Sequence, residues 1–336
     1  MPNQLQLPLS FLVGASVVFY IGTHVLWRGF GAHRPVYALS RGALLGLPIV
    51  LIALWLTLQS HAGLGVSVLM TASVVMVTLV LGVSAMSAPD DDGLASPSLR
   101  LLVPIAAAVF IAGMSGELRL SHALLIGVVT SAMLLSRPRD EVVTGTRRVG
   151  SGHIWLGVIC LIAGAIILSQ AVDALVKLPI VPLVAPVIVP LTILAAVGLL
   201  VGDVHARSNA AVIDTVVGCV IGLLGVGLPL VILTGTLAAP LYADLDRSYA
   251  VLELAPGLAT TAPTAPPTSA PAGVPEAPLI TMPLATWRID AVLLVVLAGL
   301  LFPAGMGKAS LGRVEGMFLV LVCVFFMIVT VLTVRG

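Results

Sequence analysis

Four ionisable residues lie inside or at the ends of long apolar runs: His24, Asp173, Asp203 and Asp214. A charged side chain placed in hydrocarbon costs roughly 2.5–3.5 kcal/mol even on the lenient insertion scale, so each is a candidate for proton or ion chemistry. Asp173 precedes Lys177 by four residues, the spacing of a helical ion pair. Asp203 and His205 close an apolar run, where a solvated helix end also accounts for them. His24 sits near a run boundary and reads as interfacial. Asp214 is the most informative: a span that begins near Ala210 places it one turn inside. There it either complements the helix dipole or serves as a proton- or cation-linked carboxylate beside Thr192 and Asp203.

Other chemistries find no support. The chain has no paired-His zinc motif, no phosphate-cradling loop, no GxSxG and no basic stripe with interleaved aromatics, so neither an enzyme nor a nucleic-acid binder is expected. Asp90, Asp91 and Asp92 form an acidic run without a second Asp motif, which reads as a solvated loop. Cys160, Cys219 and Cys323 lie within apolar runs without metal spacing and read as small packing residues. No metal or cofactor is expected.

The elements that must position these residues follow from composition. The 336 residues are 59% hydrophobic and 9% charged, with mean hydropathy +1.16. A soluble domain carries about 25% charged residues, so the fold class is all-α integral membrane, with the lipid bilayer as solvent. Spans are predicted near 9–27, 43–58, 64–86, 101–114 and 120–135, then near 154–176, 178–201, 211–238, 291–305 and 314–334. Residues 1–136 form the first five-helix set, 137–152 a basic linker and 153–336 the second set. Five is odd, so two similar sets must be inverted relative to each other, the arrangement of many transporters.

Eleven of the sixteen Lys and Arg fall on one side: Arg28, Arg34, Arg41, Arg100, Arg137, Arg139, Arg147, Arg148, Arg207, Lys308 and Arg313. The positive-inside rule makes that side cytoplasmic, with both termini outside a plasma (inner) membrane. The longest loop, 239–288, is then extracytoplasmic. Its Pro/Ala/Thr tract is expected to be an extended spacer, with a protein-partner site as the alternative. Span seven carries Pro179, Pro182, Pro186 and Pro190 along one face. Each removes a backbone donor, so the helix bends or breaks, and Pro186 and Pro190 would free carbonyls near the middle of the bilayer. Gly218 and Gly222 form a small-xxx-small face in span eight, expected to pack against span seven.

Two stretches echo each other: GELRLSHALLIGVV from Gly116 and GKASLGRVEGMFLVLV from Gly307, each leading into the last span of its set. LGRVEG, from Leu311, resembles the turn that opens the last helix of each repeat in the cation/calcium exchanger superfamily; LRLSHA is its first-set counterpart, with His122 where the family has Glu. LGVSVLMTASVVMVTLVLGVSAM from Leu64 and AAVIDTVVGCVIGLLGVG from Ala210 are similar to that family's third-helix motif, with Gly218 and Cys219 at its Gly-Ser. PLTILA from Pro190 and GLPIVLIA from Gly46 resemble the start of its ion-binding helices.

The resemblance implies two inverted five-helix repeats with outward termini and an ion site at the midplane, between the second and third helices of each repeat. The chain departs from the family at that site. Leu58 stands at the first acidic position, Asp203 one residue past the second, and Val68 and Thr215 replace Asn ligands. Calcium takes six to eight oxygens, several of them carboxylate, and the first half supplies no carboxylate within a span. The expectation is a divergent secondary transporter linked to a proton or monovalent cation, using Asp214, Asp203, Thr192 and Thr215. The alternative is a non-transporting scaffold or subunit of a membrane complex.

Overall fold

The computed structural model describes residues 2–30, 38–88, 94–135, 151–176, 209–237, 280–281 and 284–335. These hold nine helices: α1 (Pro2–Phe30), α2 (Ala38–Leu58), α3 (Ala62–Met86), α4 (Pro97–Gly113), α5 (Leu120–Leu135), α6 (Ser151–Val176), α7 (209–237), α8 (Leu284–Gly305) and α9 (Arg313–Arg335). The architecture is all-α, as apolar runs in lipid require, because a helix satisfies its backbone groups internally. The predicted seventh span, 178–201, lies outside the described residues, as do the Pro-rich tract and residues 137–150 of the basic linker, whose last two residues open α6.

Several helices start earlier than their apolar runs. α2 begins at Ala38 rather than near 43, and α8 at Leu284 rather than near 291. The extra turns carry Arg41 and Asp290 into the protein, where they are 1% and 4% exposed. Arg41 thus belongs to the first turn of α2, ahead of the predicted start of the second span.

The contacts recur in the order that an inverted repeat requires. α1 lies along α6, the first helix of each set. α4 packs on α8, the fourth of each. α3 packs on α9, and α7 on α5, so each third helix meets the fifth helix of the other set. The connecting segments obey the same relation. Leu94, ahead of α4, exchanges two backbone hydrogen bonds with Leu311, ahead of α9 (2.9 and 2.8 Å). At the other end of α4, β1 (Glu117–Leu118) pairs antiparallel with β2 (Ile280–Thr281), with Glu117 opposite Thr281.

Local details repeat as well. Each third helix contains a π segment, Met76–Val80 in α3 and Ile221–Gly227 in α7. The two glycines that open the sequence echo, Gly116 and Gly307, both have positive φ (75° and 68°). Glycine enters this region without a Cβ clash, so both can reverse the chain after a helix. The caps of the helices that follow these turns correspond: His122 Nδ1 accepts from the Arg119 N–H (3.1 Å), and Glu315 Oε2 accepts from the Gly312 N–H (2.9 Å). In both, the third residue of the helix reaches back to an orphan donor at its start.

Candidate functional site

Three helices converge on a buried polar cluster, and the local sequence explains each placement. Ser96–Pro97 is a helix-start signature: Ser96 is the N-cap of α4 and accepts from the Ser98 N–H (3.3 Å), with proline next in line. The same Ser96 hydroxyl donates to Asp214 Oδ1 at 2.7 Å. Asp214, in the second turn of α7, therefore sets its carboxylate against the N-terminus of another helix, where the dipole favours negative charge. Thr215 Oγ1 donates to the Ala211 carbonyl (2.7 Å) and accepts from Arg41 Nη2 (2.9 Å). Ser96, Asp214, Thr215 and Arg41 are all buried.

Close helix contact holds these groups in place. A Cβ on Gly42 would strike the Thr215 carbonyl, and a Cβ on Gly218 would lie 2.7 Å from Leu39 Cα. A Cβ on Gly222 would lie 3.0 Å from Ala43 Cα, and one on Gly46 would sit 3.4 Å from Cys219 Sγ and 3.3 Å from Leu223. Gly42/Gly46 and Gly218/Gly222 are thus two facing small-xxx-small stripes, which let α2 and α7 touch backbone to backbone. The described partner of Gly218 and Gly222 is α2; the seventh span, expected to hold them, lies outside the described residues.

Moving along the seam away from the cluster, its faces become apolar. Val50, Leu69, Cys219 and Leu223 are buried there, and Leu69 and Val50 both approach Gly227. Two buried hydroxyls of α3 turn back onto their own helix, Ser73 to the Leu69 carbonyl (2.8 Å) and Thr78 to the Val74 carbonyl (2.7 Å). Val68, where the resemblance expects Asn, is buried and has no ligating side-chain atom. Among the described residues no three His, Cys, Asp or Glu side chains come together as a metal site.

Of the sequence candidates, the structure brings Asp214 and Thr215 into one cluster. Asp203, Thr192, Pro186 and Pro190 lie outside the described residues, as does the Asp90–Asp92 run. His24 is half-buried in α1 and stacks on Tyr20 with ring centroids 6.3 Å apart. Arg41 and Ser96 were not foreseen. The Ser-Pro pair was the available signal for Ser96, and the GALLG stripe beside Arg41 the signal for the helix crossing.

The nine helices, the paired third helices with π segments and the crossed connecting segments can be set beside solved structures. The sodium-calcium exchanger NCX_Mj, soaked with 2.5 mM Na+ and 0.1 mM Ca2+, superposes with TM-score 0.57 at 15% identity, over 95% of each chain. The chain has a sodium-calcium exchanger fold. The same exchanger soaked with 2.5 mM Na+ and 1 mM Sr2+ gives TM-score 0.58 at 14% identity over 97% of each chain. The form with zero Na+ and Ca2+ gives 0.56 at 14% over 96% of each. No protein-family model matches the chain, and no curated protein matches it. At this identity the likeness establishes the exchanger fold and leaves the site to be argued from its own residues.

Proposed function

We propose that this exchanger-fold chain is a secondary transporter of the plasma (inner) membrane, with both termini outside the cytoplasm, and that Asp214 is its proton-carrying carboxylate. One observation supports this above the others: Asp214 is buried where α7 meets the start of α4, with a hydroxyl donor on it and the Arg41–Thr215 bond beside it. Buried carboxylates facing a bundle interior are the usual parts of proton relays in pumps and transporters. Asp203, Thr192 and Thr215 would extend the route, and a break at Pro186 and Pro190 would add backbone carbonyls. A monovalent cation is the alternative occupant of the same carboxylate.

The test is flux in proteoliposomes that enclose a pH-sensitive dye, under imposed Na+, K+ or Ca2+ gradients. The full chain should couple at least one gradient to proton movement, and Asp214→Asn should slow that movement at least tenfold, a single buried carboxylate being the only proton carrier removed. Rates unchanged by Asp214→Asn combined with Asp203→Asn would sink the mechanism.

A second reading, a non-transporting subunit of a membrane complex, draws on the apolar seam of Val50, Leu69, Cys219 and Leu223. In that case the Pro-rich loop would meet a protein partner. Deleting residues 256–278 would then abolish co-purification of that partner, whereas a transporter would keep its flux.

A further inference from the structure

We propose that Arg41 is a built-in cation, which determines the specificity of the Asp214 cluster by excluding metal cations from it. The inference rests on Asp214 being the working carboxylate of the proton reading, against the cation alternative, but not on transport, because its test reads binding. Four facts carry it. Arg41 is 1% exposed although it stands only four residues into α2. Its guanidinium donates to Thr215, the residue next to Asp214 and the one at a ligand position of the exchanger resemblance. Among the described residues the cluster holds one guanidinium and one carboxylate, groups of opposite charge. Backbone contact at Gly42 and Gly218 holds the base of the arginine close against α7, beside Thr215.

A metal cation entering this cluster would meet a fixed positive charge. At about 5 Å and an effective dielectric of about 20, that repulsion weakens binding on the order of 100-fold. Removing the arginine reverses the balance. Among the described residues it leaves a buried carboxylate, the hydroxyls of Ser96 and Thr215, and the volume of a guanidinium for water. Oxygen donors carrying one negative charge suit a small monovalent cation better than calcium, which takes several carboxylates.

The experiment is thermal unfolding of the purified full chain in detergent, titrated with NaCl against choline chloride at constant ionic strength. In the parent protein, any stabilisation by Na+ should be the same in Asp214→Asn. Arg41→Ala should gain a saturable Na+ stabilisation, with a midpoint at least tenfold lower than any in the parent, and Arg41→Ala/Asp214→Asn should lose it. Arg41→Lys, which keeps the charge, should gain nothing. Arg41→Gln, which keeps a donor for Thr215, replaces Arg41→Ala if the smaller side chain does not assemble. The proposal is overturned if a folded neutral variant stays indifferent to Na+. It is equally overturned if the parent's own Na+ response disappears in Asp214→Asn, a measurement that needs no change at Arg41. Absence of proton flux together with a Na+ response in Arg41→Ala would refute the transport reading and leave this inference standing.

Discussion

Gly218→Ala tests the packing that positions the polar cluster. The added Cβ would lie 2.7 Å from Leu39 Cα, with the Leu39 carbonyl nearer still. Ordinary contact begins at 3.4 Å, so α2 and α7 must part by at least 0.7 Å at this point. Both obstructing atoms are backbone, so no side-chain rotation relieves the clash. The same shift would stretch the Arg41–Thr215 hydrogen bond from 2.9 Å to about 3.6 Å, beyond hydrogen-bonding distance. Overpacking costs about 1–3 kcal/mol, and a lost hydrogen bond to a charged group about 1.5–3 kcal/mol. One displacement causes both losses, so they do not simply add, and a destabilisation of about 2–4 kcal/mol is expected. Reversible unfolding in mixed micelles measures it. Gly14→Ala and Gly127→Ala are the controls, since a Cβ at either meets nothing within 4 Å; they should fall within about 0.5 kcal/mol of the parent or above it. If Gly218→Ala unfolds with the controls, the backbone contact between α2 and α7 is wrong, and with it the geometry of the cluster.

Two further outcomes bear on the repeat. His122→Ala and Glu315→Ala should each cost about 0.5–2 kcal/mol in the same assay, because each removes the acceptor for a helix-start N–H, and the double variant should be additive, the caps belonging to different helices. Gly307→Ala should cost about 1–2 kcal/mol from its left-handed conformation alone, its Cβ site being open, and Gly116→Ala should do likewise if the two turns are equivalent.

The sequence carried the fold in its apolar runs and in one repeated turn. Gly116 and Gly307 begin the two echoing stretches, and both proved to need the conformation that glycine permits. His122 in place of Glu was legible as a substitution, and the structure shows why it is tolerated: an imidazole nitrogen accepts the same kind of hydrogen bond as a carboxylate. The cluster was half legible. Asp214 stood out because it interrupts an apolar run, and Thr215 because the resemblance places it at an Asn ligand position. Arg41 did not, because hydropathy cannot tell a buried first turn from a solvated loop when both precede the apolar residues. Asp290 was lost for the same reason at the start of α8. The π segments leave no mark in composition, since an i→i+5 hydrogen bond asks for no particular residue. The partner of Gly218 was equally hidden: a small-residue stripe announces a close neighbour without saying which helix it is.

The inverted arrangement itself is tested by cross-linking and sidedness in a background lacking Cys160, Cys219 and Cys323. Leu94→Cys with Leu311→Cys makes one pair, and Glu117→Cys with Thr281→Cys the other; both couple the two halves, and they stand at opposite ends of α4. The account predicts that a short thiol cross-linker joins both pairs in membranes, and that a membrane-impermeant thiol reagent reaches one pair only from outside and the other only from inside. Pairs that fail to cross-link, or that react from the same side, would contradict it.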